Sequence, residues 1–142
     1  MVTIIRGVWT VLFVALVFFA SGCASSGKNT KAIGPNDLPA LAGKWSGSMK
    51  LPNGANAYGT MDLAPNGDYA VQASGFSAQG KASVKDGSLV LVPTSSSGGV
   101  DAVAGGRTST AALTQRSDGT LQLTGFGHSN AGPFNFDVTK GK

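Results

Sequence analysis

The chain has 142 residues, a formal charge of +4, 21 glycines and one cysteine. That length fits one domain of the usual ~100–200 residues, and a lone cysteine excludes both an intramolecular disulfide framework and a Cys-rich zinc site. Charged residues are 13% of the chain, about half the usual ~25%, and the lysines are too dispersed for the basic stripe of a nucleic-acid binder.

Residues 1–22 differ from the rest. Arg6 is their only charge, and the run from Val8 to Ala20, VWTVLFVALVFFA, is apolar except for Thr10. As a helix it would be about 20 Å long at ~1.5 Å per residue, short of the ~20 apolar residues a bilayer core needs. It matches the ~7–15-residue apolar region of a secretory signal. The small residues Ala20, Ser21 and Gly22 follow, and then Cys23. Residues 24–40, ASSGKNTKAIGPNDLPA, have no period of 2 or 3.6 and read as a flexible tether. Stretched at ~3.3 Å per residue, such a spacer reaches several nanometres.

From Leu41 the pattern turns to β. Lys44–Leu51 places Trp45, Gly47, Met49 and Leu51 on one face, and Pro52-Asn53-Gly54 supplies a turn. Asn56–Ala64 places Gly59, Met61 and Leu63 together, and Pro65-Asn66-Gly67 repeats the turn. In both turns proline presets the first residue and glycine accepts φ > 0, as a type I turn with a G1 bulge requires. Asp68–Ser74 alternates Tyr69, Val71 and Ala73, and Phe76–Val84 alternates Phe76, Ala78, Gly80, Ala82 and Val84. Asp86-Gly87 is a hairpin signal before Ser88–Val92. Pro93–Gly106 is the one long connection, with room for a short strand at Val100–Ala104, and reads as the mobile element. Arg107–Gln115, a turn at Asp118-Gly119, Thr120–Phe126 and Phe134–Thr139 complete the series. Short strands joined by tight Gly/Asn turns predict an all-β fold, a small antiparallel up-and-down barrel of about eight strands spanning 41–142.

Two resemblances follow from these residues. Ala20-Ser21-Gly22-Cys23 resembles the lipobox of bacterial lipoproteins, with Ala20 where the family favours Leu. The resemblance implies cleavage between Gly22 and Cys23, a diacylglyceryl group on the Cys23 sulfur and an acylated new amine. Each buried CH₂ of such chains contributes ~0.8 kcal/mol, so three chains imply a permanent membrane anchor. Ala24, rather than Asp, after the cysteine implies the outer membrane, facing the periplasm. Leu41-Ala-Gly43-Lys-Trp45 resembles the opening of the lipocalin and avidin barrels, whose Gly-x-Trp motif plugs one barrel end with Trp. Lipocalins pack that Trp beneath an Arg of the last strand; here Lys140 stands nearest.

Motifs for chemistry are weak. Gly127-His128-Ser129-Asn130-Ala131 approaches the nucleophile elbow G-x-S-x-G, but that elbow needs an α/β scaffold and a separate downstream histidine, and His128 is the chain's only one. Ser25-Ser-Gly-Lys28 matches S-x-x-K inside the tether. With one His and no Glu, metal ligands reduce to scattered aspartates, of which Asp68, Asp86 and Asp118 have turn roles. No enzyme, metal or cofactor is expected. Trp45, Tyr69, Phe76 and Phe126 are candidate ligand-lining residues, and Phe134 and Phe136 share a face with Val138 as a buried wall. The expectation is an envelope lipoprotein whose barrel binds a small apolar ligand or a protein partner. A solid structural barrel, or a hydrolase inhibitor presenting its loops, are the alternatives.

Overall fold

A computed structural model describes residues 29–98, 107–129 and 131–142. The expected signal segment, Cys23, the Ser25–Lys28 motif and the short strand at 100–104 lie outside the described residues. The elements in chain order are β1 (Asn29–Lys31), α1 (Leu38–Leu41), β2 (Gly43–Lys50), β3 (Asn56–Leu63), β4 (Asp68–Ala73), β5 (Phe76–Lys85), β6 (Ser88–Gly98), β7 (Ser109–Gln115), β8 (Leu121–Ser129) and β9 (Gly132–Lys140).

Strands β2 to β9 pair antiparallel with their chain neighbours, and β9 returns to pair with β2. The result is the expected eight-stranded up-and-down barrel, closed by the pairing of β9 with β2. Three of its hairpins share one construction. Gly54, Gly67 and Gly119 adopt φ of +83°, +86° and +83°. In each, the residue before the glycine is Asn53, Asn66 or Asp118, whose side-chain oxygen accepts the backbone N–H two residues on. The Asp86-Gly87 hairpin is tighter: both residues have positive φ, 50° and 76°, which matches the right-handed twist of the strands it joins.

The structure departs from the expectation at two places. Strand β6 does not stop at Val92 but runs to Gly98 along β5. Its register steps from Gln79↔Ser95 to Gly80↔Pro93, leaving Thr94 as an extra residue. That bulge tolerates a proline inside a strand, and β7 pairs only with Leu89–Leu91, so beyond them β6 has no paired neighbour on that side among the described residues.

The second departure lies in the expected tether. From Asn29 the chain belongs to the folded body. β1 pairs antiparallel with Leu113–Gln115, the part of β7 that projects past β6. The Ile33 backbone N–H then bonds to Gly87 O at 2.9 Å, and the Ile33 side chain is buried in the core. Pro39 stands in the first turn of α1, where its missing N–H is no loss, and the short helix buries Leu41. Composition hides this segment because one isoleucine and two leucines among polar residues make no period.

One buried cluster runs through the barrel, from Ile33, Leu41 and Trp45 to Phe134 and Phe136. Ile33, Leu41, Trp45, Leu63, Leu89 and Leu123 pack together at the end that carries α1, the 64–67, 86–87 and 116–119 turns and the C-terminus. Trp45 is fully buried, and its indole N–H donates to Leu41 O at 3.0 Å. Lys140 lies opposite Trp45 in the register and donates from Nζ to Ala40 O at 2.7 Å. Trp45 thus closes this end of the barrel, with Lys140 lying over it.

Candidate ligand-binding site

Toward the other end the core leaves a gap. A cavity of about 80 Å³, partly open to solvent, lies between the plug and the end carrying the 51–55 and 74–75 turns. Strand alternation builds its wall: Met49 of β2, Ala57 and Met61 of β3, Tyr69, Val71 and Ala73 of β4 all point inward. Phe76 and Ala78 of β5, Leu91 and Pro93 of β6, Ser109 of β7, and Phe134 and Phe136 of β9 complete it. Among the described residues no charged one lines it.

Glycines make the space and are themselves covered. A Cβ built on Gly125 would meet the Phe136 ring, and one on Gly127 would meet the Phe134 ring and Ser109 Oγ. The two rings therefore lie across the neighbouring strand β8, tilted 37° to each other with centroids 6.4 Å apart, instead of crossing the lumen. Likewise a Cβ on Gly80 would come within 2.8 Å of the Tyr69 hydroxyl, so that ring extends over Gly80. Large rings laid flat over glycines leave a lumen that upright side chains would occupy.

Ser48 and Thr60 border the cavity from outward positions of β2 and β3, whereas Tyr69 and Ser109 bring polar groups in from inward positions. Tyr69 is 6% and Ser109 7% exposed. Neither hydroxyl has a hydrogen-bond partner among the described residues, and both belong to the cavity lining. Burial pushes the Tyr69 hydroxyl pKa up to about 12, so it is a neutral donor at any physiological pH.

Of the four candidate lining residues, Tyr69 and Phe76 line the cavity. Trp45 does not: it sits in the plug, beyond the cavity floor. Phe126 is on the outside, 55% exposed, with its ring edge-on to His128 at 6.5 Å and 83°. The reason is parity. Leu121, Leu123, Gly125 and Gly127 take the inward positions of β8, which leaves Gln122, Thr124, Phe126 and His128 outward. Alternation counted from Leu121 excludes Phe126 from the lumen. The same count, applied to the other strands, finds Met49, Met61 and Ser109.

The elbow-like segment has a turn role. Ser129 Oγ donates to Gly132 O at 3.0 Å and accepts from Ala131 N, while Ser129 O accepts from Arg107 Nη1 at 3.1 Å. His128 points outward, away from that hydroxyl. A second polar group that the sequence did not disclose lies on the outer face. Gln122, 1% exposed, donates from Nε2 to the Asp137 carboxylate and accepts from Arg116 Nε at 3.2 Å. It ties β8 to β9 and to the 116–119 turn.

Compared with known proteins, the chain matches no family model, no curated protein and no solved structure.

Proposed function

We propose that the chain is a non-catalytic lipoprotein of the bacterial cell envelope whose barrel binds a slender apolar group through its open end. The single observation that supports binding is the asymmetry of the barrel. One end is plugged by Trp45, Leu41 and Ile33, and toward the other lies a partly open apolar cavity. The volume sets the kind of ligand. About 80 Å³ is far below the ~300–1,000 Å³ of drug-sized pockets, yet well above the ~10–15 Å³ that admits one water. It suits a narrow end of a molecule, not a whole one.

The anchor reading is supported by residues 8–23: an apolar run, three small residues and the chain's lone cysteine. On this reading Gly22 and Cys23 flank the cleaved bond, Cys23 carries the lipid, and the protein resides at the outer membrane facing the periplasm.

Xenon tests the cavity, since it enters dry apolar spaces. Met49 and Met61 line the cavity, and the third methionine is Met1. Under xenon pressure the methyl resonances of Met49 and Met61 should shift saturably. Unmoved methyls would favour the solid structural barrel instead.

A further inference from the structure

We infer that the cavity selects an uncharged molecule that joins a short apolar body to one hydrogen-bonding oxygen, such as an alcohol or an ester or amide carbonyl, and that it rejects carboxylates. The inference rests on the binding reading above and deepens it.

The argument starts from the two hydroxyls. Buried polar groups are normally paired, and one without a partner costs ~1–3 kcal/mol. Tyr69 and Ser109 both line the cavity, and their hydroxyls, with no partner among the described residues, are reached by solvent through it, so an occupant that displaces that solvent must take over their pairing. Tyr69 reaches from β4 over Gly80 of β5, and Ser109 stands on β7, so an oxygen lodged in the cavity has donors in its wall. A purely apolar occupant would bury these hydroxyls without compensation. One carrying a neutral oxygen would satisfy them. Sequence chemistry offers easy apolar alternatives at both positions, Phe and Ala, which would have made the wall uniformly greasy.

Charge decides the other half. Among the described residues no Lys, Arg or His lines the cavity, so a carboxylate would enter without a counter-ion from them, and burying an unpaired charge is far costlier than burying a hydroxyl. Tyr69 remains protonated and offers one neutral donor, which suits a carbonyl or an alcohol oxygen.

The test uses three probes of similar size against the full chain in lipid nanodiscs: 1-butanol, n-pentane and butanoate, read by the Met49 and Met61 methyl resonances. The expected result is saturable binding of 1-butanol, no saturable shift with butanoate at neutral pH, and an approximately fivefold weaker 1-butanol affinity in Tyr69→Phe, the loss expected for one net hydrogen bond. Ser109→Ala should act in the same direction, and pentane should bind more tightly in both variants, because the uncompensated hydroxyl is gone. Equal effects of either variant on pentane and 1-butanol, no effect on 1-butanol, or butanoate binding as tight as 1-butanol would each overturn the inference. A xenon response without this selectivity overturns the inference alone; silence toward xenon and all three probes overturns the binding reading as well.

Discussion

At the scale of single residues, the cavity is maintained by what glycine omits. A Cβ on Gly47 would collide with the backbone carbonyl of Asp137 on the neighbouring strand. Gly47→Ala must therefore push β2 away from β9, and overpacking of this kind costs ~1–3 kcal/mol; a lower urea midpoint with an unchanged slope would register it. Tyr69 gives the protein an alkaline limit. Its folded pKa is raised to about 12 from 10.0. Between those values the unfolded chain has lost the phenolic proton and the folded chain still holds it. Stability is thus full below pH ~10 and falls as pH rises toward 12, with a slope of at most ~1.4 kcal/mol per pH unit. Tyr69→Phe should remove that part of the slope, which a series of urea titrations from pH 9 to 11.5 would measure. Gln122 is the residue with most to lose. Gln122→Ala leaves Arg116 Nε without its amide partner and the half-buried Asp137 carboxylate without a donor, at an expected ~1–3 kcal/mol. A shift below a few tenths of a kcal/mol would mean that water replaces the glutamine.

At the scale of elements, the strand series was readable because each strand carries its own period and each turn its own chemistry. Trp45 and Met49, Met61 and Leu63, Tyr69 and Val71 alternate as drawn, and Pro-Asn-Gly or Asp-Gly sits where the chain reverses. Half of the candidate site was readable for the same reason: Tyr69 and Phe76 stand at inward positions of well-marked strands. What escaped depends on contacts between distant parts of the chain. Gln122 is buried on the outer face only because Asp137 and Arg116 converge on it. Pro93 sits within a strand only because a bulge absorbs it. Asn29–Lys31 is a strand only because β7 outruns β6 and leaves a ladder to complete. Removing the isoleucine that follows this strand tests whether the segment is integral. Ile33→Ala empties a core position and should cost ~2–5 kcal/mol, far more than a substitution in a solvated tether; near-wild-type thermal stability would sink the claim.

At the scale of the whole molecule, the two ends of the barrel differ in kind. Lys31, Lys44, Lys85, Arg116 and Lys140 gather with several aspartates around the plugged end, whereas the described charges at the open end are Lys50 and Arg107. Among the described residues the open end is thus nearly free of charge. The anchor is tested by fractionation: Cys23→Ala should move the protein from the membrane to the soluble fraction and abolish incorporation of labelled palmitate. Persistence in the membrane, with label retained, would refute the lipid attachment. The early start of the fold then carries a geometric consequence. Only residues 24–28 separate Cys23 from Asn29, a reach of at most ~20 Å, and Asn29 enters at the plugged end. An anchored barrel would stand as a cup on its base, close above the lipid headgroups, with its rim turned away from them. Whatever it holds would arrive from the aqueous side, handed down from another molecule, and would not climb sideways out of the bilayer on which the cup stands.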